Sequence, residues 1–247
     1  MNFIGIIPAR FQSTRFPGKP LALLGGKPII QWVYENAQKA LDEVYVATDD
    51  ERVYQAVEEF GGKAVYTSTN HQSGTDRCAE AALKVTMNTK IDVVINIQGD
   101  EPFIRPEQIE SLKACFNSSV TQIATLIKPI KNLDEINNIN RPKVVINKNH
   151  EAMYFSRSPI PFVRDCPPEA WLAGSKFYSH IGMYAYRFDI LSELTQLPIG
   201  ILEKAESLEQ LRWLENGYRI KTAQTQFENI GIDTPEDLEQ AQKFLRA

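Results

Sequence analysis

The sequence predicts an α/β fold built on a mainly parallel sheet. Three observations carry that expectation. Strand-like and helix-like segments alternate through the first half, as in βαβ units. The strand-like segments are continuous apolar runs, which fits strands covered on both faces. The helix-like segments each carry an apolar stripe, with start or stop signals at their ends.

In order, residues 3–8 read as a strand. Residues 29–40 set Ile29, Ile30, Val33, Ala37 and Ala40 at helical spacing, and residues 44–47 form a short apolar strand. Within 50–60, Val53, Ala56, Val57 and Phe60 share one helical face, and Gly61-Gly62 stops the helix. Residues 64–66 read as a strand and 76–85 as a helix. Residues 93–97 are a buried strand, apolar apart from Asn96, and 106–116 is a helix with Pro106 at its start.

The second half is less regular. Residues 144–147 and 153–156 flank the polar turn Lys148-Asn149-His150-Glu151, a hairpin pattern. Residues 157–168 are proline-rich and cannot form a central strand. Residues 179–186 read as a strand, 188–194 and 205–216 as helices, and 220–224 as a strand. Gly217 ends the second of those helices, and Thr234 caps a last helix over 235–244. The stretch of about 131–176 breaks the βαβ rhythm and is read as an insertion or oligomer arm on one domain spanning 1–247.

A chain of 247 residues, 43% hydrophobic and 23% charged, is ordinary for a soluble domain with a real core. A net charge of −4 argues against a nucleic-acid-binding surface. Cys78, Cys115 and Cys166 are an odd set without C-x-x-C spacing, so neither a disulfide framework nor a zinc site is expected, and reduced thiols suggest the cytoplasm. No signal peptide is evident and no apolar run is long enough to span a membrane.

The most telling stretch is Gly5-Ile6-Ile7-Pro8-Ala9-Arg10-Phe11-Gln12-Ser13-Thr14-Arg15-Phe16-Pro17-Gly18-Lys19-Pro20. An apolar strand empties into a loop with three cations, where a phosphorylated ligand is expected at the edge of an α/β sheet. It is neither a Walker A loop nor Gly-x-Gly-x-x-Gly. A solvated surface loop is the plain alternative.

The run Ile97-Gln98-Gly99-Asp100-Glu101-Pro102 sets a carboxylate at the end of a buried strand, where it can hold Mg²⁺ against phosphate oxygens or simply make a turn. In Ile230-Gly231-Ile232-Asp233-Thr234-Pro235-Glu236-Asp237, Thr234 and Asp237 form a capping pair, and Asp233 is left outside the helix as a second candidate metal ligand. Ser73-Gly74-Thr75-Asp76-Arg77 starts a helix, with Ser73 or Thr75 as its cap. Tyr154-Phe155-Ser156-Arg157-Ser158-Pro159-Ile160-Pro161 offers Arg157 for a carboxylate, and Tyr178-Ser179-His180-Ile181-Gly182-Met183-Tyr184 offers His180 for sugar hydroxyls. Both types are more often surface or structural residues. Glu206-Ser207-Leu208-Glu209-Gln210-Leu211 reads equally as an amphipathic helix.

Together these segments, spanning residues 5 to 238, resemble the 3-deoxy-manno-octulosonate cytidylyltransferase (CMP-Kdo synthetase) family. The resemblance implies a three-layer, Rossmann-like nucleotidyltransferase fold with a dimerisation excursion, and a cytoplasmic homodimer. It implies transfer of CMP from CTP to 3-deoxy-D-manno-octulosonate (Kdo), an acidic sugar of lipopolysaccharide, with Mg²⁺ as cofactor. Carried over residue by residue, Arg10, Lys19, Asp100 and Asp233 are catalytic, with Asp100 and Asp233 on the metal. Pro8, Ala9, Arg10, Lys19, Ser73, Gly74 and Asp100 bind the nucleotide. Arg15, Gln98, Arg157, His180, Tyr184, Glu209 and Gln210 bind the acceptor. A related acceptor, such as 8-amino-Kdo or a sialic acid, and a catalytically silent nucleotide-binding regulator are the other readings.

Overall fold

The structure, a computed structural model, describes residues 1–246. The chain is mixed α/β with a large, mostly parallel central sheet. In chain order the elements are β1 (Phe3–Ala9), β2 (Leu23–Leu24), β3 (Lys27–Pro28), α1 (Ile29–Gln38), β4 (Glu43–Thr48), α2 (Glu51–Glu59), β5 (Ala64–Tyr66) and α3 (Gly74–Val85). Then come β6 (Val93–Asn96), α4 (Pro106–Cys115), β7 (Ile123–Pro129), α5 (Leu133–Asn137), β8 (Lys143–Ile146), β9 (Ala152–Ser156) and α6 (Trp171–Gly174). Last are β10 (Tyr178–Arg187), α7 (Phe188–Leu194), α8 (Ile201–Glu206), α9 (Gln210–Glu215), β11 (Ile220–Gln224) and α10 (Pro235–Arg246).

Two compact units emerge. The first comprises Met1–Glu110, Ala185–Thr195 and Asn229–Ala247; the second comprises Ser111–Tyr184 and Gln196–Glu228. In the first, the strand order is β6-β1-β4-β5, and β1 runs parallel to both of its neighbours. The apolar runs explain this. Ile4, Ile6, Ile7, Val93, Val94 and Ile95 are all fully buried, so neither face of β1 or β6 is left for water. Ile29, Ile30, Val33 and Ala37 of α1 are buried too, the stripe their spacing predicts. Ile232 and Ala241, from the C-terminal segment, pack with Leu24 and Ile29.

In the second unit the order is β11-β7-β10, with β11 parallel to β7. β8 lies antiparallel to β10 and to β9, closing the expected hairpin. The expected arm over about 131–176 falls inside this unit. One reading needs correction, and one strand adds to the expected set. The expected helix over 205–216 is two short helices, α8 and α9, because Ser207 adopts a left-handed φ of 51° and breaks the turn. Strand β7 was not anticipated at all, although Ile123, Ala124, Leu126 and Ile127 are fully buried. Among the described residues no helix is long and apolar enough to cross a membrane.

Candidate active site

β1 delivers the basic loop. Its last residues, Pro8 and Ala9, pair with Ala47 and Thr48, so the chain leaves the sheet at the carboxyl ends of its parallel strands. Ligands of open α/β sheets bind at that edge. Gly18 turns the loop back: at φ 74° its N–H donates to the Phe11 carbonyl at 2.8 Å. The short 3-10 turn that follows, Lys19–Leu21, starts with the lysine. Gly99, just past β6, faces the same edge. A Cβ there would lie 2.8 Å from the Pro8 carbonyl oxygen, so glycine alone allows the two strand ends to approach. A cavity of about 390 Å³ lies between them, lined by Pro8, Ala9, Arg10, Arg15, Lys19, Gln98 and Asp100.

Two acids converge on one cation. The Lys19 ammonium donates to Asp100 at 2.5 Å and to Asp233 at 3.1 Å. Arg15 also reaches Asp233, at 3.2 Å. The backbone braces this contact, since Ile232 N–H donates to the Asp100 carbonyl at 2.9 Å. Asp233 is held just outside α10, where Asp237 accepts from the N–H groups of Asp233 and Thr234 at 3.0 and 2.9 Å. Burial lowers the Lys19 pKa, but the charge and hydrogen bond of Asp100, then those of Asp233, outweigh it and the net shift is upward.

Asp100 and Asp233 are hard oxygen donors that already share one cation, and Mg²⁺ takes one or two carboxylates together with substrate phosphates. Among the described residues no trio of His, Cys, Asp or Glu is placed to hold a metal. The two aspartates fit Mg²⁺ only with phosphate or water oxygens completing the shell.

Glu101 is a group that sequence reasoning passed over. Burial first, then the charges of Asp100 and Asp233, push its pKa up to about 8 against the opposing Asn229 hydrogen bond. The Asn229 amide donates to Glu101 and accepts from the buried Gln108 amide at 2.7 Å. The signal was present in the adjacent Asp-Glu pair, but neither its burial nor Asn229, 128 residues away, is visible in local sequence.

Ser73 is the cap of α3. Its hydroxyl accepts from Asp76 N–H at 3.1 Å, and its own N–H donates to the Asp76 carboxylate at 3.2 Å. A Cβ on Gly74 would meet the Pro8 ring at 3.4 Å, so the start of α3 lies against the end of β1. Arg10 donates to the His71 carbonyl, just upstream of that cap. Pro8, Ala9, Arg10, Arg15, Lys19, Ser73, Gly74, Gln98, Asp100 and Asp233 thus all belong to the first unit.

Arg157, His180, Tyr184, Glu209 and Gln210 belong to the second. Arg157 spends its guanidinium on the carbonyls of Glu206, Ile139 and Ser207, at 2.7, 3.0 and 3.3 Å. His180 Nε2 lies 3.0 Å from the Thr125 hydroxyl, and the ring stands edge-on to Phe155 and tilted against Tyr184. Burial pushes the His180 pKa down to about 3, so the ring is neutral at neutral pH. Burial, and then the Glu209 charge, raise the Tyr184 pKa far above the usual phenol range. Gln210 is 5% exposed, and its Nε2 has no hydrogen-bond partner among the described residues. Such a buried donor costs about 1–3 kcal/mol unless something accepts from it.

The cytidylyltransferase family matches residues 4–222, which include the basic loop and Asp100 and stop short of Asp233. The chain belongs to that family. This cytidylyltransferase is 61% identical over its whole length to the 3-deoxy-manno-octulosonate cytidylyltransferase of Phocaeicola vulgatus, covering 98% of that protein. It is 60% identical to the enzyme of the same name from Bacteroides thetaiotaomicron, covering all of the chain and 99% of that protein. Among solved structures, a CMP:2-keto-3-deoxy-manno-octonic acid synthetase complexed with CTP matches with a TM-score of 0.91 at 43% identity, over 100% of this chain and 99% of that one. A cytidylyltransferase from Leptospira borgpetersenii, at 17% identity and TM-score 0.64 over 100% of this chain and 87% of that one, shares the fold.

Proposed function

We propose that this cytidylyltransferase transfers CMP from CTP to Kdo and releases pyrophosphate. The observation that carries this is the Lys19 ammonium held between Asp100 and Asp233 on the wall of a basic cavity, in a chain similar throughout to proteins named for that reaction. In this reading the anomeric hydroxyl of Kdo attacks the α-phosphorus in line and pyrophosphate departs. Negative charge grows on the phosphate oxygens, so fixed cations and positioning supply the catalysis.

Arg10 and Lys19 hold the phosphates, with Pro8, Ala9, Ser73 and Gly74 beside the nucleoside. Asp100 and Asp233 hold Mg²⁺, which when bound neutralises phosphate charge and orients the oxygens around it. Arg15 and Gln98, on the same cavity, serve the acceptor side. His180, Tyr184, Glu209 and Gln210 read Kdo hydroxyls, and the Gln210 Nε2, without a partner among the described residues, supports that role. For Arg157 to bind the acceptor carboxylate, that anion must displace neutral carbonyls. What favours the exchange is the planar fork of the guanidinium, which matches a carboxylate with two parallel hydrogen bonds between opposite charges.

The working state in this reading is a cytoplasmic homodimer. Ile139, Met153 and Phe162, all strongly exposed within the expected arm, support an interface there.

The test is pyrophosphate release from CTP and Mg²⁺ with Kdo, 8-amino-Kdo or N-acetylneuraminic acid as acceptor. Kdo should win by a wide margin, since a site built to pair one set of hydroxyls leaves polar groups unpaired with another. A faster rate with another acceptor would replace Kdo in this reading. No release with any of them would favour a silent nucleotide-binding protein.

A further inference from the structure

Arg77 lies on the buried face of α3 with none of its side chain exposed. Its Nη1 donates to the Thr67 hydroxyl at 2.5 Å and its Nη2 to the Asp49 carboxylate at 2.7 Å. Its Nε has no hydrogen-bond partner among the described residues. A buried ion pair left partly unsatisfied is a poor way to stabilise a core, because apolar residues of similar volume often do as well or better. What the guanidinium gives instead is geometry. It ties α3 to two other segments, the residue just after β4 and the residue just after β5.

The segment so fixed is the loop of residues 67–73. Its far side is fastened by Glu80, also on α3, which accepts from Ser68 N–H at 2.9 Å and pairs with the His71 ring. The His71 carbonyl in turn accepts from Arg10, a residue of the proposed phosphate site. The partner Asp49 stands on the wall of a second cavity of about 220 Å³, which shares Arg10 and Gln12 with the cavity of the basic loop. Each link from Arg77 to Arg10 is therefore a hydrogen bond or one short stretch of backbone.

We propose that Arg77 is a positioning residue for CTP: through Thr67 and Asp49 it fixes the loop of residues 67–73, and through His71 it aims Arg10 at the nucleotide. This rests on the nucleotide site proposed above.

The experiment uses the full-length protein and three variants. Thr67→Val removes one hydrogen bond and keeps the shape. Asp49→Leu with Arg77→Met replaces the ion pair by apolar side chains, so that no lone buried charge is left to unfold the protein. Arg10→Ala is the control on the site itself. CTP affinity by calorimetry, KM for CTP and for Kdo, and Tm are measured for each.

The expected result is an increase of about tenfold in the Kd and KM for CTP in Thr67→Val and in the double variant, the scale of one hydrogen bond of about 1.4 kcal/mol. The KM for Kdo and the Tm should stay close to the parent values. CTP binding at parental strength in both variants overturns the proposal if Arg10→Ala has weakened it. If Arg10→Ala leaves CTP binding intact, the nucleotide site itself is misplaced and the proposal falls with it. A loss of CTP binding that merely follows a fall in Tm makes Arg77 a structural residue and also overturns it.

Discussion

Lys19 is held by two carboxylates from distant parts of the chain, 81 and 214 residues away. Lys19→Ala should therefore lower kcat/KM about 10²–10³-fold, the scale of one deleted transition-state donor. The same change at the exposed Lys243 should have little effect, and steady-state kinetics of the two variants side by side checks this. Asp100→Asn and Asp233→Asn should each abolish most turnover with the circular dichroism spectrum unchanged; near-normal Mg²⁺-dependent rates would remove that aspartate from the metal role. His180 gives a pH prediction. Its folded pKa is depressed to about 3 from an ordinary 6.5, so the unfolded chain takes up the proton first. Stability should be complete above about pH 6.5 and decline as pH falls from there toward 3. His180→Gln, which cannot be protonated, should flatten that decline in a Tm series, each 1 kcal/mol being about 2–4 °C for a chain of this size. Lys19, Asp100 and Asp233 were legible as candidates because each follows an apolar strand or precedes a cap. The raised pKa of Glu101 was not legible, since it depends on burial and on charges that only the fold assembles.

At the scale of elements, the ends of β1 and β6 approach because Gly99 has no side chain. Backbone meets backbone there, so no rotamer change can relieve an added methyl. Gly99→Ala should push Asp100 or Pro8 aside and cost about 10²-fold in kcat/KM, since a shift near 1 Å is worth that much. A variant with intact spectrum and intact rate would show that the strand ends can separate without harm. The regular βα elements of the first unit were readable because each carries its own signal: a continuous apolar run, a stripe, a cap. The capping pair of Thr234 and Asp237 was read from sequence and is present. The break between α8 and α9 was not readable, because Ser207 takes a left-handed conformation without glycine. β7 escaped notice because Thr125 interrupts its apolar run, and pairing with β11, almost a hundred residues on, decides its state.

At the scale of the molecule, the two units divide the proposed labour, nucleotide groups in one and most acceptor groups in the other. Arg157→Ala should raise the KM for Kdo strongly and leave CTP affinity by calorimetry nearly unchanged. The reverse pattern would move Arg157 to the nucleotide side. Light scattering at micromolar concentration should return twice the 28.0 kDa of one chain, and a mass of one chain would sink the homodimer. The α/β class and parallel sheet were legible from the rhythm of the first half. In the second unit the β8–β9 hairpin was legible from its polar turn, whereas the parallel pairing of β11 with β7 was not, because it spans a separation that no local pattern announces.

The first unit is threaded from three separate stretches of chain, and one of them carries Asp233. On the ribosome this imposes an order of events. β1, the basic loop and Asp100 emerge early, yet the lysine waits for a partner synthesised 214 residues later. A polypeptide released anywhere before that point, by a stalled ribosome or a nonsense codon, carries the basic loop without the second acid. In the reading proposed above, no such fragment carries both metal carboxylates, so turnover waits for the last stretch of the first unit.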